Sequence, residues 1–222
     1  MRIDMHIHTN RYSSCSHIDP YKLIIKAKRK GLDGIVITEH ERLWRKEEIA
    51  ELKKFSGNLV ILRGVEVSTP QGLHLLIYGL NEDLEPGMDE VDIIREAHKH
   101  SAVVIPAHPY RYGAGLEELL YSLEIDGLEI MSTNTSEMAG IQAQLLRDKL
   151  NIPGIAGSDA HDIRLVGAYY TEFQCNITNE AELVEAIRRH TPLSPLNRGD
   201  SPPVCSPLKR GGGGCVSFPG GI

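Results

Sequence analysis

Residues 2–8 read Arg2-Ile3-Asp4-Met5-His6-Ile7-His8, and this stretch contains the pattern on which the rest of the fold depends. Polar and apolar residues alternate here, which is typical of a β-strand, because successive side chains on a strand point to opposite faces. Residues 4, 6 and 8 therefore share one face, which carries a carboxylate and two imidazoles. Imidazole is a common ligand of divalent metals, so this face is a candidate metal site. The competing interpretation is a polar strand whose histidines form only hydrogen bonds.

Further segments have the length and apolar content of β-strands, and helical patterns lie between most of them. The predicted strands are Ile3–Ile7, Gly34–Thr38, Leu59–Val67, Leu73–Tyr78, Ala102–Ala107, Gly127–Met131, Gly154–Ala156 and Val166–Phe173. The first predicted helix begins at the Asp19-Pro20 cap and ends at Gly31, and the others cover Lys46–Phe55, Met88–His100, Leu116–Ser122, Ser136–Leu150 and Asn179–His190. This alternation favours a parallel α/β sheet, either open and doubly wound or closed into a barrel.

The composition is that of a soluble globular chain. The chain has 222 residues, of which 41% are hydrophobic and 24% charged, and its net charge is −6. The negative charge disfavours binding to duplex nucleic acid, which needs a basic face. No apolar run reaches about 18 residues and no apolar leader is present, so we expect no membrane contact and a cytoplasmic location. The four cysteines form no Cys-x-x-Cys pair, which agrees with a reducing compartment.

The composition changes at residue 191. Residues 191–222 hold six of the twelve prolines and the glycine run 211–214, and they show no apolar periodicity. We therefore predict one domain, residues 1–190, followed by a disordered tail, residues 191–222.

Histidine and acidic residues recur near the ends of the later predicted strands. Buried imidazoles and carboxylates must be paired or bound to a metal, because their desolvation is costly. We therefore predict a metal centre made by six histidines and two acids: His6, His8, His40, Glu66, His74, His108, Asp159 and His161. Nitrogen and oxygen ligands without thiolate suit Mn, Zn or Fe, and their number favours two or three divalent ions. Sites with several metals suit phosphoester hydrolysis.

Taken in order, these segments resemble the PHP family, whose name refers to polymerase and histidinol phosphatase. The matching motifs are Asp4-x-His6-x-His8, Thr38-Glu39-His40, Gly64-Val65-Glu66, His74-Leu75-Leu76, Ala107-His108-Pro109 and Gly157-Ser158-Asp159-Ala160-His161. The resemblance implies a distorted (β/α)7 TIM-like barrel with its metal site at the C-terminal ends of the strands. It also implies a metal-dependent phosphoesterase, either a phosphatase or a phosphodiesterase, in which a metal-bound hydroxide attacks a small phosphorylated metabolite or nucleotide.

The resemblance further implies how the ligands are shared among the ions. His6, His8, Glu66 and Asp159 would hold the first ion, Glu66, His74 and His108 the second, and His40 with His161 the third. Family members often add an aspartate or histidine shortly after the second histidine, but no aspartate is present there in this chain. Cys15, His17 or a water would then complete the third ion. His40, Glu66, Asp159 and His161 are also the candidate catalytic residues.

Three residues are candidates for binding the substrate. Arg111 follows the His108 motif and Arg164 follows the His161 motif, and arginine grips phosphate through two parallel hydrogen bonds. Asn134 follows the predicted strand Gly127–Met131. The competing interpretations are solvated arginines and a turn asparagine.

Two other functions remain open. An amidohydrolase-like enzyme that cleaves C–N bonds has a similar histidine-rich site, usually with a carbamylated lysine as the bridge, whereas Glu66 already offers a bridge here. A non-catalytic metal-binding PHP module is the alternative from another class, although a degenerate site would be expected to lose ligands.

Overall fold

The computed structural model describes residues 1–111, 113 and 115–189, together with the backbone of Cys205–Pro207. The elements in chain order are β1 (Arg2–Ile7), α1 (Pro20–Arg29), β2 (Gly34–His40), α2 (Lys46–Ser56), β3 (Val60–Ser68), β4 (His74–Tyr78), α3 (Glu90–Lys99), β5 (Val103–Pro106), α4 (Glu117–Ser122), β6 (Leu128–Met131), α5 (Glu137–Leu150), β7 (Gly154–Ala156), β8 (Thr171–Phe173), α6 (Glu180–Arg188) and β9 (Cys205–Pro207). The predicted alternation of strands and helices is therefore present through most of the described chain.

Capping residues begin and end helix α1 where the sequence predicts. The side chain of Asp19 accepts the backbone N–H groups of Tyr21 and Lys22, at 3.0 and 2.9 Å. Gly31 follows the helix with a φ of 71°, a left-handed conformation that glycine adopts without strain. These two ends set the bounds of the helix that connects β1 to β2.

The strands form two sheets of mixed direction. One has the order β5-β4-β3-β2-β1-β8-β9, and the other is the pair β6-β7. The pairs β1–β2, β2–β3 and β6–β7 are parallel, whereas β4 is antiparallel to both neighbours and β8 is antiparallel to β1 and β9. The expectation of an all-parallel sheet was therefore wrong for β4 and β8.

A tight turn explains the direction of β4. The N–H of Thr69 donates to the carbonyl of Leu73 at 2.8 Å, and Gly72 has a φ of 84°. A connection this short can join only antiparallel strands, since parallel strands need a long crossover. As a result, the first residue of β4 lies at the same edge as the C-terminal end of β3.

The β6–β7 pair lies between β5 and β1. Strand β6 contacts β5 and β7 contacts β1. The N–H of His8 donates to the carbonyl of Ala160 at 3.1 Å, and the N–H of Asp159 donates to the carbonyl of His6 at 2.7 Å. The fold is thus mixed α/β, and its ladders do not form one continuous closed ring among the described residues. The (β/α)7 barrel stays a prediction.

The predicted strand Val166–Phe173 is shortened to β8. Residues 162–168 instead form turns, with the N–H of Leu165 donating to Asp162 and that of Ala168 to Leu165, both at 2.9 Å. Val166 is fully buried, so its apolar side chain reflects packing in the core rather than strand structure.

The remaining sequence predictions on the ends of the chain are only partly described. Helix α6 ends at Arg188, and the predicted helix end at His190 lies outside the described residues. The predicted tail, residues 191–222, also lies outside them, apart from β9, which pairs with β8. Among the described residues, none of the helices combines the length and the apolar character needed to span a membrane.

Candidate metal centre

The eight predicted ligands come together at one edge of the strands. His6 lies in β1, His40 ends β2, Glu66 lies in β3, His74 begins β4, and the remaining ligands follow β1, β5 and β7: His8, His108, Asp159 and His161. His74 reaches the same edge as the others because β4 is antiparallel. The topology therefore gathers residues that are far apart in the sequence.

Glu66 lies between two groups of imidazoles. Its Oε1 is 3.0 Å from Nδ1 of His74 and 3.2 Å from Nε2 of His108. Its Oε2 is 3.2 Å from Nε2 of His8 and 3.0 Å from Nδ1 of His40. The side chain is 1% exposed, so each carboxylate oxygen faces ligands rather than water. This is the geometry expected of a carboxylate that bridges two ions.

His6 and His8 form the deepest part of the centre. Their Nε2 atoms are 3.0 Å apart, and each is 3.4 Å from Oδ1 of Asp159. The donor atoms form three groups whose members lie within 4.8 Å of one another: His6, His8 and Glu66; Glu66, His74 and His108; and His8, His40 and His161. The first two groups agree with the sharing that the family resemblance implies, and the third adds His8 to the expected pair.

The donor set fits divalent ions. Oε2 of Glu66 is buried without a hydrogen-bond partner, although three imidazole nitrogens lie within 3.4 Å of it. Lone pairs of nitrogen and oxygen that converge in this way repel one another unless a cation lies between them. A tetrahedral ion with ligands at about 2.0–2.1 Å places neighbouring donor atoms about 3.3 Å apart. The observed separations of 3.0–3.4 Å match this spacing.

The acids of the centre remain ionised. Burial raises the pKa of Asp159, but attraction to His6 and the hydrogen bond from His8 outweigh it and leave the pKa below its usual value. The pKa of Glu66 likewise lies well below its usual value, because His6 and His108 outweigh the effect of burial. Burial and the nearby charge of His8 lower the pKa of His161, which favours the neutral imidazole that a metal requires.

Unusual backbone geometry holds two of the ligands. His108 and Asp159 have φ values of 30° and 50°, in the left-handed region that L-residues rarely adopt. The side chain of Asp159 is held in place by Asn134, whose Nδ2 donates to Oδ2 at 2.6 Å. A Cβ on Gly157 would lie 2.5 Å from Cβ of His6, so the close approach of this loop to β1 requires glycine.

Asp4 ties the same loop to β1. Its Oδ1 accepts the N–H of Ser158 at 2.7 Å, and its Oδ2 accepts the N–H of Gly167 at 2.9 Å. Burial raises the pKa of Asp4 to about 6 in spite of these hydrogen bonds. Asp4 therefore holds the loop that carries Asp159 and His161 against β1.

Two buried glutamates near the centre are not among the predicted ligands. Glu39 accepts hydrogen bonds from the backbone of Thr9, from Oγ of Ser13 at 2.5 Å and from Nε1 of Trp44 at 2.9 Å. Glu129 contacts His6 and the backbone of His108. In the sequence, Glu129 stands between Leu128 and Ile130 inside a predicted strand. An acid flanked by apolar residues in a strand was the feature that could have indicated a buried carboxylate near the site.

The three candidate substrate residues are placed differently. A cavity of about 400 Å³ opens over the centre, and Arg111 and Asn134 line it together with Cys15 and Leu165. Arg164 is not among the residues that line this cavity. Its side chain is 84% exposed and donates to Asp162 at 2.9 and 3.0 Å.

The two candidates for completing the third ion also differ. Cys15 lines the cavity, and burial raises the pKa of its thiol, which favours the protonated form over the thiolate ligand. His17 is exposed and is not part of this cavity lining. Neither side chain belongs to the three groups of converging donors found among the described residues.

Two family models and one related protein match parts of this chain. The family model described as PHP domain matches residues 4–150, and the one described as PHP-associated matches residues 141–192. An uncharacterized protein of Methanocaldococcus jannaschii, MJ1587, is 28% identical over 143 residues, which cover 60% of this chain and 82% of that protein.

Three solved structures share the fold. A candidate metal-dependent phosphoesterase from Bifidobacterium adolescentis is 15% identical with a TM-score of 0.60, and the match covers 83% of this chain and 94% of that one. An amidohydrolase from Chromobacterium violaceum with bound sulfate is 16% identical with a TM-score of 0.61, covering 73% and 88%. PsfC from Pseudomonas syringae is 16% identical with a TM-score of 0.62, covering 84% and 88%.

Proposed function

The chain belongs to the PHP domain family, and from this membership and the geometry of its metal centre we propose that it hydrolyses phosphoesters with the help of two or three divalent metal ions. The observation that carries the proposal is Glu66, whose two oxygens each face a separate group of imidazoles at 3.0–3.4 Å. A carboxylate in this position supports two neighbouring ions, and paired ions suit in-line displacement at phosphorus.

The ligands named above would hold these ions, with Mn, Zn and Fe as the candidates. Bound divalent ions at such a site supply a water of lowered pKa and neutralise charge on the phosphoryl oxygens. Glu66 and Asp159 both remain ionised, so they offer the carboxylate oxygens that divalent ions bind. Bound cations would in turn favour an anionic substrate.

The chain's own residues position the substrate and the ligands. Arg111 lines the cavity beside His74 and His108, where a guanidinium can bind two phosphoryl oxygens at once. Asn134 also lines the cavity, but its amide already donates to Asp159, so we assign it to holding that ligand in place. His40 and His161 lie at the rim, with side chains 31% and 29% exposed, and ligation is their primary role because a bound ion opposes proton donation.

The size of the cavity supports a small substrate. A volume of about 400 Å³ accommodates a phosphorylated metabolite or a single nucleotide. The negative net charge of −6 disfavours a long nucleic acid. We therefore propose a small phosphorylated molecule as the partner of this site.

The test is turnover of p-nitrophenyl phosphate and bis-p-nitrophenyl phosphate by metal-stripped protein, with Mn, Zn or Fe(II) added back. We expect activity that returns with metal, and the preferred ester distinguishes a phosphatase from a phosphodiesterase. Absence of turnover at full metal loading would contradict the proposal. Hydrolysis of an amide panel by the same loaded protein would then support the C–N hydrolase, and inactivity on both panels the non-catalytic module.

A further inference from the structure

We propose that Glu129 is a positioning residue of the metal centre, which orients the imidazole of His6 and holds the strained backbone of His108 through one carboxylate. The inference rests on the metal centre of the proposed function and not on the identity of its substrate. Glu129 is not among the predicted ligands and none of the three converging groups contains it.

Glu129 is enclosed by the core. It lies in β6 between Leu128 and Ile130, and all three residues are 0–1% exposed. A carboxylate in such surroundings is costly unless its oxygens accept hydrogen bonds. Each oxygen of Glu129 has one such partner. One partner lies in β1, and the other follows the C-terminal end of β5.

The first partner determines the direction in which His6 binds. Oε1 of Glu129 is 3.0 Å from Nδ1 of His6. A carboxylate oxygen accepts hydrogen bonds, so in this contact His6 presents its Nδ1–H to Glu129 and its other nitrogen, Nε2, faces the opposite way. Nε2 is the atom that points toward Glu66 and Asp159, at 3.4 Å from each. Glu129 therefore aims the metal-binding nitrogen of His6 into the centre.

The second partner is the backbone of the next ligand. Oε2 of Glu129 accepts the N–H of His108 at 2.9 Å. His108 has a φ of 30°, which the chain adopts only where its surroundings require it. The hydrogen bond to Glu129 is one such requirement, and it directs the His108 side chain to Oε1 of Glu66. One carboxylate thus links a ligand of the first ion to a ligand of the second.

Glu129→Gln tests this arrangement because glutamine keeps the shape but has only one acceptor. If its oxygen serves the N–H of His108, its NH2 group faces Nδ1 of His6 and moves the imidazole proton to Nε2. We expect zinc affinity to fall by about 10–100-fold at one ion in a variant that remains folded by circular dichroism. Isothermal titration and metal analysis measure the affinity and the stoichiometry. Glu129→Asp, which keeps two acceptors, should recover part of the loss.

For the proton position on His6 the matched control is Glu39→Gln, since Glu39 is also fully buried but accepts hydrogen bonds from Thr9, Ser13 and Trp44 rather than from an imidazole. Nitrogen-15 spectra of the zinc-loaded proteins report the proton position on His6. We expect an Nδ1–H signal for His6 in the wild type and in Glu39→Gln, and its loss in Glu129→Gln.

Three results would overturn the inference. One is a folded Glu129→Gln with wild-type zinc affinity and an unchanged His6 signal. Another is a wild-type protein that carries the His6 proton on Nε2, which decides the question even if the variant fails to fold. The third is a wild-type protein that binds no zinc, manganese or iron, which would remove the metal centre and with it the proposed function. Zinc binding without phosphoester turnover would contradict the substrate alone and leave the role of Glu129 intact.

Discussion

The inner and outer residues of the candidate metal centre are held in different ways. The inner side chains are 0–5% exposed and belong to His6, His8, Glu66, His108 and Asp159. The outer ones, His40, His74 and His161, are 25–31% exposed. Additional carboxylates and strained backbone support the inner ligands, whereas the outer ones meet solvent. The difference indicates that the inner half is enclosed by the core and that the outer half is accessible to solvent.

The largest effect is expected where the two halves meet. Glu66→Gln removes the negative charge that faces both groups of imidazoles, so we expect activity to fall by about 100-fold or more, together with the loss of bound metal. Turnover and metal content of purified protein measure both effects. Glu85→Gln, at an exposed position, is the matched control. Wild-type turnover with a full complement of metal in Glu66→Gln would show that no ion depends on this bridge.

The next effect concerns the packing of the inner half. Gly157→Ala would place a methyl group 2.5 Å from Cβ of His6 and 2.6 Å from its backbone nitrogen. We expect a loss of about 1–3 kcal/mol in the free energy of unfolding, because neither strand can move without disturbing the core. Urea unfolding measures it. Gly115→Ala, which has no heavy atom within 4 Å of the added group, should stay within about 0.5 kcal/mol of the wild type. Equal stability of the two variants would mean that this loop is not tightly packed on β1.

The smallest expected effect is the difference between replacing an inner and an outer histidine. His8 is fully buried and its Nε2 lies 3.2 Å from Glu66 and 3.4 Å from Asp159, whereas Nδ1 of His161 lies 3.6 Å from Asp159 at the rim. Water can replace a rim imidazole more easily than a buried one, so we expect zinc affinity to fall about tenfold more in His8→Ala than in His161→Ala, a difference of about 1.4 kcal/mol.

Isothermal titration with zinc measures this difference. The control is His100→Ala, because the His100 side chain is 31% exposed and pairs with Glu96 away from the centre. Equal losses in His8→Ala and His161→Ala would remove the distinction between inner and outer ligands.

Local patterns predicted most of the elements, and the eight residues predicted as ligands lie together at one edge of the strands. Strand β1 could be predicted from the sequence because the alternation that defines it involves only neighbouring residues. The cap at Asp19 could be predicted because it depends only on one side chain and the N–H groups next to it. The antiparallel direction of β4 was missed, although the predicted strands Leu59–Val67 and Leu73–Tyr78 are separated by only five residues, too few for the crossover that parallel strands need. The placement of Arg164 could not be predicted in this way, since only the structure reveals that its guanidinium is engaged by Asp162.

The sequence by itself predicted which imidazoles and carboxylates would come together, because such residues at strand ends have few other roles in a buried site. It also determined the family, through the order of those motifs along the chain. Only the tertiary structure decided which oxygen of Glu66 faces which imidazole, and that Glu129 and Glu39 lie behind the ligands. Those relations depend on side chains from strands far apart in sequence, and the distances between them exist only after the sheets have packed.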